Sequence, residues 1–395
     1  MAAGKGLRRR AHSRKAKGGL RAILGKAPSA AEVGQRLAWL ARRAWKKDVT
    51  DLSTTSCTLQ FVAGASPVRV TVLPDGDLEV RASTHALGPG YAAYVLARMA
   101  PVLEELEFVW APDDEGDGKA AALAWLVERL REGADDPDAQ VLVGMPAERV
   151  FLVDAPVLTA LGPRDAAWRD AVLANPAKGA DAFPWFEGGA GTEARAKALL
   201  AMWHELPWRE PLDEDERAQM TEVDALLATA AKAKLPLPYG AWAELVELLG
   251  DGDRAEVLRA KAAPGEPPIG YRRFDMEVGL ADGWSMTLGG GFVGVWDGDR
   301  YLATDGARSI EFTSFATTQG NSEALIAVAQ EQYPVIERIS DGPRAGRAEA
   351  YDQARFRVVH GLMAVAPHVA ILTCRGDVRD EPWMLETWRS LRCES

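Results

Sequence analysis

Residues 355–375 read RFRVVHGLMAVAPHVAILTCR. Two apolar runs rich in β-branched side chains, 355–365 and 368–375, flank Pro367, which has no backbone N–H to give to a ladder and so belongs at a turn. The segment is predicted to be a long β-hairpin. A hairpin joins antiparallel neighbours directly, whereas parallel strands need a crossover of a dozen or more residues. The C-terminal part therefore reads as an antiparallel sheet. Upstream, alternating strands are expected at 275–278, 284–288, 292–296, 301–304 and 309–315, with a further strand near 335–339. Helices at 322–332 and 381–391 flank them.

The stretch Ala263-Pro264-Gly265-Glu266-Pro267-Pro268 cannot continue a helix and is stiffened towards an extended form. It places a linker at 263–270, between a domain at 29–262 and another at 271–395. At 395 residues the chain is too long for one ordinary hydrophobic core, which agrees with two domains. In the first, Val68, Val70 and Val72, the turn Pro74-Asp75-Gly76-Asp77, then Leu78 and Val80 spell a second hairpin. Ser29 with Glu32 three residues on is a capping box, and Leu37, Leu40, Ala41, Ala44 and Trp45 follow at helical spacing. Helices at 91–106 and 119–131 alternate with strands at 58–63, 106–110, 140–143 and 150–153. From about 156 the pattern is helical, with candidates at 164–174, 192–205, 213–233 and 239–261. The fold class is α+β: an N-terminal mixed α/β domain with a helical extension, then a C-terminal antiparallel sheet with two flanking helices.

Charge is unevenly spread. Residues 1–47 hold 14 of the 46 Lys and Arg but only one acid, Glu32, of the 57, so an overall net charge of −11 conceals a basic start on a body of net −24. Residues 1–28 carry almost no large apolar side chains to offset chain entropy, and they are expected to be a disordered arm. Arg8, Arg9, Arg10, Arg14, Lys15, Lys17 and Arg21 are its candidate anion-binding residues, for nucleic acid, ribosome or anionic lipid. No aromatic is interleaved and no recognition-helix pattern is present, so such binding would be salt-sensitive and poor at reading sequence. Three scattered cysteines do not make a disulfide framework or a paired zinc motif, and no apolar run of membrane-spanning length occurs. A cytoplasmic protein is expected. The frequent Ala and Arg point to a bacterial source.

The opening strands with Gly283-Trp284-Ser285-Met286-Thr287-Leu288, the central helix, the hairpin strand Val369-Ala370-Ile371-Leu372-Thr373 and the closing Trp388-Arg389-Ser390-Leu391 resemble the PsbP-like fold. That fold occurs in photosynthetic oxygen-evolving complex subunits and in a family of type VI secretion effector chaperones. The resemblance covers under a third of the chain. It implies a non-catalytic binding scaffold that acts on a protein partner.

The five histidines form no HxH, HxxxH or HExxH pattern, so no metal ligands are assigned. His360 and His368 are the best pair, since they flank a hairpin whose register could bring both onto one face. Gly289-Gly290-Gly291 runs into strand text, which favours a turn over a phosphate loop. Asp75-Gly76-Asp77 and Asp297-Gly298-Asp299 are turn chemistry. Cys374 follows Ile371-Leu372-Thr373 and reads as a core residue. His85, Gly88, Gly90 and Tyr91 combine a polar side chain, a forced turn and an aromatic ahead of a helix N-terminus, and they form the candidate ligand pocket. No catalytic residue or cofactor is assigned. Three functions stay open: an adaptor or chaperone-like protein with a basic tether, an enzyme or small-ligand sensor at His85 and Tyr91, and an immunity protein whose acidic body neutralises a basic toxin.

Overall fold

In the computed structural model, residues 7–13, 29–45, 48–62, 67–82, 87–110, 118–134, 140–145, 150–186, 189–317 and 320–394 are described. The capping box forms as the sequence predicts: the Ser29 hydroxyl accepts from the Glu32 N–H at 3.3 Å, and the Glu32 carboxylate accepts from the Ser29 N–H at 2.7 Å. The helix it opens, Ala30–Ala44, buries Val33, Leu37, Leu40 and Ala41. The chain divides into two units, each made of several stretches. The first comprises Met1–Ala147, Asp154–Glu205 and Glu222–Pro238, and the second Glu148–Val153, Leu206–Thr221 and Tyr239–Ser395. This division departs from the boundary expected at 263–270: the helices after Pro238, Leu206–Thr221 and Glu148–Val153 fall in the same unit as the C-terminal sheet.

The first unit holds an antiparallel six-stranded sheet in the order Val49–Leu52, Ser56–Leu59, Val68–Val72, Leu78–Ala82, Leu7–Ser13, Phe108–Trp110. The predicted hairpin closes Val72 on Leu78, and Gly76 takes the positive φ its turn needs. The disordered arm expected over residues 1–28 is corrected in part. Leu7–Ser13 is an interior strand, pairing with Leu78–Ala82 on one side and Phe108–Trp110 on the other. Arg8, Arg9 and Arg10 face Arg81, Val80 and Glu79 in that register. Backbone pairing, over residues 7–11 on the first side and 11–13 on the second, holds the strand in place. Arg14, Lys15, Lys17 and Arg21 lie outside the described residues.

Helices Pro89–Glu105, Gly118–Ala134 and Ala190–His204 complete this unit's core, together with a small sheet ordered Gly162–Arg164, Val157–Thr159, Val141–Val143. The 239–261 helix divides into Tyr239–Leu248 and Gly252–Arg259. Gly250 turns left-handed at φ 94, and Asp251 then caps the next helix through the Arg254 N–H.

The second unit carries a seven-stranded antiparallel sheet ordered Val293–Asp297, Arg300–Thr304, Ser309–Ala316, His368–Gly376, Phe356–Val365, Arg344–Gln353, Val335–Asp341. The opening hairpin is present, closing Val365 on His368. Beside it runs Arg344–Gln353, which the sequence did not announce. A four-stranded sheet, Arg392–Cys393, Trp284–Gly289, Asp275–Gly279, Val150–Phe151, belongs to the same unit. Helix Glu381–Arg389 sets the buried Trp388 indole against Gly346 and Gly361, where an added Cβ would come within 2.8 Å and 2.3 Å of the ring. The architecture is the predicted α+β arrangement.

Candidate functional site

Tyr91, Tyr94 and Arg98 recur at helical spacing along Pro89–Glu105, and Glu193, Lys197 and Leu200 do so along Ala190–His204. Tyr94, Arg98 and the second trio line a cavity of about 240 Å3 in the first unit. Its apolar wall is completed by Phe61, Trp185 and Phe186. These rings brace one another: Tyr91 and Tyr94 stack at 6.0 Å, Trp185 meets Tyr91 edge-on at 6.2 Å, and Phe61 meets Tyr94 edge-on at 6.5 Å.

The polar wall is ionic. Asp48, almost fully buried, accepts from Lys197 Nζ at 2.7 Å and from Arg98 Nη2 at 3.3 Å. Arg98 Nη1 also lies 2.8 Å from Glu193, and Lys197 lies 3.7 Å from it. The Arg98 guanidinium sits 5.6 Å from the Phe61 ring centre. Burial pushes the Tyr94 phenol up to about 12, with Arg98 pulling the other way, so the hydroxyl is a neutral donor and acceptor at any ordinary pH. Tyr91 is raised by burial too, and among the described residues neither its hydroxyl nor the Trp185 indole N–H has a hydrogen-bond partner.

The sequence pointed one helical turn short of this cavity. Tyr91 backs its wall without lining it. Gly88, at φ 76, packs against Trp125, and Gly90 packs against Ala122 and Phe186. Their role is close approach and chain direction. His85 lies outside the described residues. The i, i+3, i+7 spacing of Tyr91, Tyr94 and Arg98 was a usable signal, but nothing local marks Asp48, whose partners lie 50 and 149 residues away.

The remaining candidates resolve by geometry. Val365 pairs with His368, and His360 lies five residues back along the same strand, so the two histidines point to opposite faces of the sheet. His360 instead meets the Thr373 hydroxyl at 3.1 Å. His204 Nε2 is 2.9 Å from the Ala160 carbonyl. Among the described residues no three His, Cys, Asp or Glu side chains converge as metal ligands. Cys57 is pushed up to about 12 by burial and then by Asp51, and burial raises Cys374 as well, so both are held as thiols. At Gly290 the N–H donates to the Phe274 carbonyl, and Arg272 donates to the carbonyls of Gly290 and Phe292 at 2.7 and 2.9 Å. The glycine run is a tight turn tied by an arginine.

The second unit offers a different feature. Its sheet ends at Val293–Asp297, where every residue is exposed, Val295 to 59% and Trp296 to 48%. Among the described residues no strand pairs with the outer side of this one. The opposite edge, Val335–Asp341, is interrupted by a bulge between Val335 and Glu337, and its charges are engaged, Glu337 by Arg389 at 2.6 Å and Arg338 by Glu331. Bulges and charges are how natural sheets block unwanted pairing. One edge is blocked and the other is bare.

No family profile and no curated protein matches the chain. Among solved structures, the solution structure of cyanobacterial PsbP from Synechocystis is similar at 8% identity and a TM-score of 0.24, covering 30% of this chain and 91% of that one. A crystal structure from Bacteroides thetaiotaomicron is similar at 9% identity and a TM-score of 0.22, covering 29% of this chain and 46% of that one. The likeness to a PsbP-like fold is partial and low in identity, and no family or chaperone identity follows from it. Among the described residues no helix is long and apolar enough to cross a membrane.

Proposed function

We propose that this chain is a non-enzymatic, chaperone-like adaptor that binds a protein partner in extended form along the Val293–Asp297 strand. The observation that carries the reading is the bare edge: a row of backbone groups that no strand among the described residues pairs with, and Val293, Val295 and Trp296 exposed beside it. An added strand would gain main-chain hydrogen bonds from the edge and side-chain selectivity from the alternating apolar residues. The edge is also preorganised. The two-residue turn Gly298-Asp299 begins with glycine at φ 66 and fixes Val295 opposite Leu302. The cluster Arg14, Lys15, Lys17 and Arg21 supplies a salt-sensitive attraction to an anionic partner, whether nucleic acid, ribosome or an acidic protein surface.

The test is capture of partners by the full chain from its host, followed by hydrogen exchange on the complex. The partner is expected to slow exchange of the 293–297 amides. Val295→Lys should release it, while Val257→Lys, on an exposed helix position of the same unit, should not. Unchanged exchange at 293–297, or equal recovery with all three proteins, sinks the reading.

A further inference from the structure

The cavity in the first unit has two chemically distinct walls. Phe61, Tyr94, Trp185 and Phe186 make an apolar, aromatic side, and Arg98, Lys197 and Glu193 make an ionic one. Two cations face this space, and the carboxylate fixed beneath them is Asp48, which is almost fully buried and bonds to both. Asp48 cancels one of the two charges. Glu193 cancels the other, but from a different position: its side chain is 37% exposed, 2.8 Å from Arg98 and 3.7 Å from Lys197. Glu193 also lies in the first turn of its helix, where the helix dipole favours a negative charge whether or not Arg98 is in contact. It can swing away without being left in an unfavourable field.

We infer that Glu193 is a built-in stand-in for a ligand carboxylate, and that the cavity binds a small monocarboxylate with a flat apolar body. The ligand carboxylate replaces Glu193 on Arg98 and Lys197, and its ring lies among Phe61, Tyr94, Trp185 and Phe186. Charge selects this class. An organic cation would suit the aromatic wall, but it would enter beside two cations, with Asp48 already engaged by both and only Glu193 able to turn towards it. A phosphate dianion would exceed the single positive charge that the departure of Glu193 uncovers. Size agrees. A cavity of about 150 Å3 holds one benzene, so 240 Å3 is room for one ring and a short acid arm.

The test is calorimetric titration and thermal shift on the full chain with three probes of one shape: phenylacetate, phenethylamine and benzyl alcohol. Phenylacetate alone is expected to bind and raise the melting temperature. Glu193→Gln keeps the shape and removes the competitor, and it is expected to tighten phenylacetate about tenfold, the factor for one lost charge-assisted hydrogen bond. Lys197→Gln is expected to abolish binding. Because Lys197 also partners the buried Asp48, its variant is read only beside Glu193→Gln, which tests the idea even where Lys197→Gln unfolds. Phenethylamine or benzyl alcohol binding as well as phenylacetate, weaker phenylacetate binding in Glu193→Gln, or no binding of any probe by either protein overturns the assignment. None of these outcomes bears on the edge strand of the second unit.

Discussion

Arg347 and Glu349 are 2% and 1% exposed, and a buried charge is tolerated only where its partners are in place. Arg347 donates to the carbonyls of Ile326, Ala329 and Gln330 at 3.3, 3.0 and 3.2 Å. Glu349 accepts from the backbone N–H groups of Gln332 and Tyr333 at 3.0 and 2.9 Å. Arg347 Nε lies 2.9 Å from Glu349 Oε1 but off the hydrogen-bonding line, so that contact is Coulombic. The helix Ser322–Val328 itself ends at Val328, with Ala329 extended at φ −70 and ψ 126, and the pair binds the backbone groups that follow it. Glu349→Ala strands the guanidinium and should cost about 3–5 kcal/mol in urea unfolding, while Arg347→Met with Glu349→Leu should recover most of that loss. A Glu349→Ala protein with an unchanged midpoint would show the pair to be dispensable.

His360 stands opposite Glu349 on the neighbouring strand. Burial lowers its pKa and Arg347 lowers it further, against an opposing pull from Glu349. The unfolded chain therefore takes up the proton first. Stability is full above the ordinary histidine range and declines as pH falls through about 6.5 towards the folded value. Urea midpoints between pH 8 and 5 should show this slope, and His360→Gln should flatten it. An equal slope in both proteins would assign the acid loss elsewhere.

At the scale of elements, what the sequence disclosed was the set of strands and helices whose own side chains form the core. The two long hairpins, the capping box and most helices have apolar residues at the right period. Two strands do not. In Arg344–Gln353 the core side is Gly346, Ala348 and Ala350, small because Trp388 fills the space, and the other side is Arg347 and Glu349. Small against charged is the reverse of the usual signal, so the strand could not be read. Leu7–Ser13 was hidden because its place depends on ladders to both neighbours and not on its arginines. Deleting residues 1–13 leaves Leu78–Ala82 and Phe108–Trp110 without their shared neighbour. The melting temperature should fall by at least about 5 °C, on the order of 2 kcal/mol or more. A truncated chain that melts with the full-length protein would return these residues to a free arm.

For the molecule as a whole, the ionic wall of the cavity stayed out of reach of sequence because its buried carboxylate and its cations are distant in the chain. The bare edge was half legible: 292–296 was a predicted strand, but which strand ends a sheet is decided by the order of all seven. The second unit is also assembled from stretches that are far apart. Phe151 pairs with Met276 and stacks on Tyr271 at 5.5 Å. On the ribosome, Phe151 emerges well before either, and at ordinary elongation rates it waits on the order of ten seconds for them. Throughout that interval the nascent chain carries an unmatched strand that belongs to a unit not yet made. Clusters of slow codons between these positions would lengthen the interval, making the pace of translation a determinant of yield for this protein.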